Sequence, residues 1–172
     1  GRPETYYAHI DLLAPSAHPA TARTSANEPM DRAYCERVLV HEYATVLLEL
    51  LRRTRAGWRF FAGPAWFVQG YEEYIGLTCA GEHARTVTLP KYIAAAKQHP
   101  EWVSADFGLD VAEPYVAGAV LVHFMHEKYG KERVHAIMTS TEPTFGRAIR
   151  DALAVTLDDF GRDWREWLAR QN

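Results

Sequence analysis

Cysteine is scarce in this chain, which contains 2 cysteines among 172 residues. Cys35 and Cys79 lie far apart in the sequence and form no Cys-x-x-Cys motif. A disulfide-rich scaffold and a zinc site built from cysteine pairs are therefore excluded, which leaves two buried thiols or one disulfide. Free cysteine is among the most frequently buried residue types, so buried thiols are the simpler prediction.

Long apolar runs and an excess of positive charge are also missing. The best apolar run, VAGAVLV at 116–122, is well short of the roughly 20 residues that a membrane helix needs. The formal net charge is -3 and the arginines are scattered, so the sequence offers no basic surface for nucleic acid. We expect a soluble protein that neither spans a membrane nor binds nucleic acid.

The composition that is present is that of an ordinary globular protein. Hydrophobic residues make up 48% and charged residues 24% of the chain, which argues against disorder. The length suits one domain with its own core. We therefore predict a single domain over residues 1–172.

Residues 1–28 carry no helical pattern. The opening GRPETYY lacks Met and the charged-then-apolar pattern of a signal peptide, so the sequence does not indicate a compartment. TYYAHIDLL at 5–13 alternates in part, as an edge strand does, and a loop rich in Pro, Ala, Ser and Thr follows it. A short strand and a loop are predicted in this region.

From Pro29 onward the apolar spacing becomes helical. It predicts a long, largely buried helix over 29–54, a second helix over 64–80 and a helical lobe over 90–172. Within that lobe, one helix should start near Pro114 and end at Gly130, and the last should begin with a capping box formed by Thr156 and Asp159. The predicted fold class is mainly α, of the α+β kind.

Residues 41–45, HEYAT, resemble a zinc helix with one residue changed. In the His-Glu-x-x-His motif, two histidines one turn apart hold the metal, and the glutamate takes a proton from the bound water. Here the second histidine position is Thr45. The pattern alone has little weight, because any His-Glu pair on a helix satisfies it.

The following segment, GPAWFVQGYEEYIG at 63–76, strengthens the resemblance. It is similar to the second signature of the gluzincins, the thermolysin-like and aminopeptidase-like zinc metallopeptidases, which reads approximately P-x-W-x-x-E-G-x-A-E-Y. The positions in register are Pro64, Trp66, Gly70, Glu73 and Tyr74. The resemblance extends over about residues 35–170 and implies a gluzincin-like zincin fold, with a short strand region, a helical lobe and a cleft between them.

The resemblance also implies roles for individual residues. His41 corresponds to the first zinc ligand and Glu42 to the general base. Glu73 corresponds to a carboxylate that orients the first histidine, and we expect a His41–Glu73 hydrogen bond that makes the imidazole more basic. Tyr115 lies where the family often places a side chain that steadies the oxyanion.

Two departures from the family pattern decide the functional expectation. Thr45 replaces the second zinc ligand and Gln69 replaces the third, and neither is a good zinc donor. No cofactor is therefore expected. If zinc binds at all, it would need His41 and Glu73 with either His123 or His126, which lie on one face of the predicted 114–130 helix. Thr45, Gln69, Trp66, His123 and His126 are otherwise candidate ligand-binding residues.

Three functions follow from these residues. The leading hypothesis is a degenerate gluzincin-like protein that is not a peptidase and whose cleft binds a peptide, a partner protein or a small molecule. The first alternative is a metal-independent enzyme in which His41 and Glu42 perform acid-base chemistry on a small substrate. The second alternative is a zinc-dependent hydrolase with substituted ligands.

Overall fold

The described part of the protein is mainly helical. The computed structural model describes residues 30–56, 63–103, 107 and 113–171. These residues form seven α-helices, and no strand occurs among them. The predicted strand at 5–13 and the loop that follows it lie outside the described residues. Within the described ranges, no helix has the length and apolar character needed to cross a bilayer.

The helices confirm the helical pattern of the sequence, with ends that differ by a few residues. A π-helical turn at Ala84–Thr88 leads directly into the third helix, and the sequence pattern did not predict it. A 3-10 turn at Pro100–Trp102 follows the third helix. The α-helices in chain order are α1 Arg32–Ala56, α2 Ala65–Cys79, α3 Leu89–Gln98, α4 Val116–Tyr129, α5 Lys131–Met138, α6 Phe145–Leu153 and α7 Leu157–Arg170.

Helices α2 and α4 cross at the centre of the core, and two glycines let their backbones touch. A Cβ atom on Gly70 would lie 2.2 Å from the carbonyl carbon of Gly118, and one on Gly118 would lie 2.4 Å from the carbonyl oxygen of Trp66. Any larger residue would force the helices apart. Gly70, which belongs to the gluzincin-like signature, thus has a packing role in this fold.

Helix α1 buries one narrow face against the rest of the protein. Its buried positions are Arg37, His41, Ala44 and Leu48, which recur at the three- and four-residue spacing of a single helix face. A Cβ on Gly76 of α2 would lie 3.1 Å from the Arg37 carbonyl oxygen, so α1 and α2 also pack closely. The prediction of a largely buried α1 is corrected, because its opposite side exposes about half of Leu39, Tyr43, Leu47 and Leu50.

The C-terminal helix follows the prediction closely. The Thr156 hydroxyl accepts a hydrogen bond from the Asp159 backbone N–H at 3.1 Å, and the Asp159 carboxylate accepts one from the Thr156 N–H at 3.3 Å. This capping box starts α7 as expected. The predicted apolar stripe of α7 faces the core, where Phe160, Trp164, Trp167 and Leu168 are buried and Leu157 is partly buried.

The cysteines do not follow the simplest prediction. Both are free thiols, so the alternative of a disulfide is also wrong. Cys35 is partly buried on α1, whereas Cys79 is exposed at the last position of α2. The expected burial fails at Cys79 because the end of α2 projects beyond the core.

Candidate functional site

A cleft of about 310 Å³ lies where α1, α2 and α3 approach the start of α4. Its volume is at the lower end of the range that is typical of small-molecule sites. Apolar, aromatic and charged side chains all contribute to it. The lining residues are Met30, Tyr34, Arg37, Val38, His41, Glu42, Glu73, Tyr92, Tyr115 and Val116.

Glu73 is the centre of a buried polar network in this cleft. Its Oε2 lies 3.0 Å from His41 Nδ1, and its Oε1 accepts a hydrogen bond from the Tyr92 hydroxyl at 3.0 Å. The Arg37 guanidinium forms an ion pair with the same Oε1. All four side chains are buried, so the carboxylate joins α1, α2 and α3 through three donors.

The predicted hydrogen bond between His41 and Glu73 is present, but its predicted effect on basicity is wrong. Burial in the protein, aided by the nearby positive charge of Arg37, lowers the pKa of His41 to about 4. Because Arg37 already balances the charge of Glu73, the carboxylate does little to favour a charged imidazole. His41 is therefore neutral at pH 7, with its Nδ1 proton assigned toward Glu73 because a carboxylate can only accept.

The second ring nitrogen of His41 faces Glu72 of α2. His41 Nε2 lies 3.9 Å from Glu72 Oε2, which is beyond hydrogen-bond range. The same Glu72 oxygen accepts a hydrogen bond from Gln69 Nε2 at 3.2 Å. Glu72 is buried, so a second carboxylate lies on the other side of the imidazole from Glu73.

The residues at the positions that the resemblance assigns to zinc ligands do not fit zinc. The Thr45 hydroxyl donates to the His41 carbonyl oxygen at 3.2 Å, so it hydrogen-bonds to its own helix, and Gln69 bonds to Glu72. Within the described ranges, no group of three or more His, Cys, Asp or Glu side chains is arranged to hold a metal ion. The donor set thus lacks the three strong ligands that a catalytic zinc requires.

His123 and His126 do not line the cleft. Both lie on α4 beside Tyr74 of α2, with ring centroids 5.8 Å and 4.7 Å from the Tyr74 ring, and His123 also contacts the Trp167 ring of α7. His123 Nε2 is 3.5 Å from the Glu127 carboxylate. A metal site that combines either histidine with His41 and Glu73 is therefore not formed. The expectation is corrected because the packing of α4 directs this face toward α2 and α7.

Trp66 lies in the core and not in the cleft. Its side chain is fully buried, and its ring makes an edge contact with Phe145 at 5.3 Å between centroids. Its indole N–H donates to the Phe107 carbonyl oxygen at 3.4 Å. The expected role of Trp66 in ligand binding is corrected to a role in packing, because α2 points this side chain away from α1.

Glu42 and Tyr115 line the cleft outside the hydrogen-bonded network of Glu73. Tyr115 is 48% exposed, and its ring centroid lies 5.8 Å from that of His41. Glu42 is partly buried, and its carboxylate has no hydrogen-bond or ion-pair partner among the residues that the structure describes. Both side chains are thus available to a bound molecule, in contrast to the network around Glu73.

Sequence reasoning missed Arg37, Glu72 and Tyr92. Arg37 precedes His41 by four residues on the same helix, so helical spacing could have placed it beside the imidazole. Glu72 was visible only as the neighbour of Glu73. Tyr92 reaches the network from α3, and no spacing in the sequence indicates that contact.

Comparison with known proteins does not assign the chain to a family. Protein-family models, curated proteins and solved structures were each compared with the chain, and none matches it. The functional interpretation therefore depends on the side chains of the cleft itself.

Proposed function

We propose that this protein is a degenerate gluzincin-like protein that binds a ligand in the cleft between α1 and α2 and does not hydrolyse peptides. The ligand is a small molecule, or the end of a peptide or partner protein. The proposal depends on the hydrogen bonds made by the two residues that replace family ligands, Thr45 and Gln69. Thr45 hydrogen-bonds to its own helix and Gln69 to Glu72, so His41 alone keeps the residue type of a family ligand.

The chemical consequence is a large loss of metal affinity and of water activation. Complete structural zinc sites supply about 10 to 16 kcal/mol through several good donors, and one imidazole supplies a small part of that. A water that is not bound to metal keeps a pKa far above the value of about 7 that zinc gives it, and is a poor nucleophile. Glu42 by itself does not replace these contributions.

Binding is favoured because a hydrogen-bonded network holds one side of the cleft in place. The floor is fixed by the three donors to Glu73, so the orientation of His41 is set before a ligand arrives. A prearranged site loses less conformational entropy on binding. Glu42 then offers an unpaired charge, and Tyr115 offers a ring that is partly exposed to the cleft.

A second function, metal-independent acid-base catalysis, has one specific observation in its favour. His41 Nδ1 is held by Glu73 at 3.0 Å, which resembles the way a carboxylate orients a catalytic imidazole, and Glu42 lines the same cleft. A pKa of about 4 makes His41 a weak base at pH 7, which lowers the expected rate. This function therefore ranks below binding.

Metal content tests the main proposal. Protein purified without chelator should contain far less than one zinc per chain by mass spectrometry of the metal. The double variant Thr45→His, Gln69→Glu restores all three family ligands and should bind one zinc per chain if the architecture is gluzincin-like. Stoichiometric zinc in the natural protein would overturn the proposal, and a double variant without zinc would argue against the family kinship.

Ester hydrolysis separates binding from acid-base catalysis. The rate of p-nitrophenyl acetate hydrolysis should be the same for the natural protein and for Glu42→Gln. Glu36→Gln is the matched control, since Glu36 lies on the same helix, is exposed and pairs with Arg32. A rate that falls about tenfold or more in Glu42→Gln alone would favour the enzyme.

A further inference from the structure

The charges that line the cleft do not cancel. Arg37 and Glu73 form a buried ion pair, and His41 is neutral at pH 7 because burial lowers its pKa to about 4. The remaining charged side chain of the lining is Glu42. The cleft therefore carries one negative charge in excess, and this charge is located on the carboxylate of Glu42.

The Glu42 carboxylate lacks the donors that a partly buried anion normally has. No residue in the described ranges donates a hydrogen bond to it or pairs with it. Removing a carboxylate from water without such a partner is unfavourable. A ligand with a charged N–H donor would supply both the missing hydrogen bond and the missing opposite charge.

Aromatic rings line the same cleft, and aromatic rings attract cations. The guanidinium of Arg37 already lies 5.2 Å from the centroid of the Tyr34 ring and 5.7 Å from that of Tyr92, within the range of a cation–π contact. Tyr115 presents a third ring whose face is half exposed. Val38 and Val116 add apolar surface on which the uncharged part of a ligand can pack.

We infer that the cleft binds a small organic cation, with an ammonium group at Glu42 and a compact apolar or aromatic body against Tyr115 and the valines. This inference rests on the proposed binding function of the cleft and adds the class of ligand. The volume of about 310 Å³ is at the lower end of the range for small-molecule sites, so a single ring with a short chain fits within it. An anion of the same shape is repelled by Glu42.

Three probes with the same ring and different charge test the inference. Benzylammonium, benzyl alcohol and benzoate are titrated into the whole protein at pH 7 and low salt, with dissociation constants measured by calorimetry or NMR. Benzylammonium should bind with a dissociation constant of about 1 mM or below, as expected for so small a ligand. Benzyl alcohol should bind about tenfold more weakly, and benzoate more weakly still.

Two variants assign the preference to one carboxylate. Glu42→Gln should abolish the tenfold advantage of benzylammonium over benzyl alcohol and keep the binding of the alcohol. Glu36→Gln removes the same charge from an exposed position of α1 and should leave the advantage unchanged. The advantage should also shrink in high salt, because part of it is electrostatic.

The possible failures have different meanings. Equal binding of the three probes, or an advantage that survives Glu42→Gln, overturns the cation inference and leaves the binding function of the cleft intact. An advantage lost equally in Glu36→Gln also overturns it, because the effect would then belong to net charge. If none of the probes binds at concentrations about tenfold above 1 mM, the cation inference fails, whereas the proposed function is decided separately by the zinc content of the protein.

Discussion

Glu73→Gln is the substitution that tests the buried network most directly. The change keeps the shape of the side chain and replaces one carboxylate oxygen with an NH2 group. The carboxylate accepts from three donors, whereas an amide has one acceptor oxygen and two N–H donors of its own. Arg37 loses its counter-charge, and His41 Nδ1 must either face an N–H donor or change to the tautomer in which it accepts.

The expected magnitude follows from how deeply the ion pair is buried. The side chains of Arg37 and Glu73 are 3% and 5% exposed. Removing one partner of such a buried pair costs about 3 to 5 kcal/mol, because the other charge remains without compensation. We expect Glu73→Gln to lower the free energy of unfolding by about 3 kcal/mol, which is a large share of the about 5 to 15 kcal/mol that is typical of a domain.

Urea denaturation at pH 7, followed by circular dichroism, measures this loss. The double variant Arg37→Met, Glu73→Gln should be at least about 1 kcal/mol more stable than Glu73→Gln alone, since it has no unpaired buried cation. Glu132→Gln is the control, because Glu132 and its partner Lys131 are both exposed, and it should change stability by about 0.5 kcal/mol or less. A loss below about 1 kcal/mol for Glu73→Gln, or a double variant that is no better, would refute the reasoning.

Two further predictions concern pH and packing. The pKa of His41 is about 4 in the folded protein and about 6.5 in the unfolded chain, so the unfolded chain takes up the proton first as the pH falls. We therefore expect the free energy of unfolding to fall by about 2 kcal/mol between pH 6.5 and pH 4. Urea denaturation at several pH values measures how the free energy of unfolding depends on pH. This dependence should be weaker in His41→Gln and unchanged in His135→Gln. Gly118→Ala should lower the free energy of unfolding by about 2 kcal/mol or more, because its Cβ would lie 2.4 Å from a backbone carbonyl oxygen. Gly146→Ala should lower it by less than about 1 kcal/mol, because its Cβ would contact a leucine methyl group that can move. Equal midpoints for the two glycine variants in thermal denaturation would contradict the account of the α2–α4 crossing.

Much of the helical architecture could be predicted from the sequence because it depends on local signals. Helical spacing of apolar residues locates α1, α2 and α4, and the Thr156 capping box marks the start of α7. The exposed side of α1 was not foreseen, since its leucines are as apolar as buried ones and spacing alone does not show which face has a partner. The π-helical turn before α3 also has no clear sequence signal.

The site was predictable only where its residues share a helix or a motif. The His41–Glu73 contact followed from the resemblance between two sequence segments, and it is present at 3.0 Å. The low pKa of His41 was not predictable, because it depends first on the burial of the imidazole and then on the nearby charge of Arg37, and tertiary packing sets both. The prediction that His123 lies near His41 was wrong. Tertiary packing sets the rotation of α4 about its own axis, and the i and i+3 spacing of two histidines does not reveal that rotation.

The network also changes what the His-Glu pair in HEYAT indicates. His41 has a structural reason to be present, since it hydrogen-bonds to Glu73 within the buried group that joins α1, α2 and α3. Its presence is therefore explained without any chemistry. Glu42 has no such reason, because it makes no hydrogen bond or ion pair with the described residues and leaves an unbalanced charge in the cleft. Of the two residues, Glu42 is the one whose side chain remains available to a ligand or a substrate.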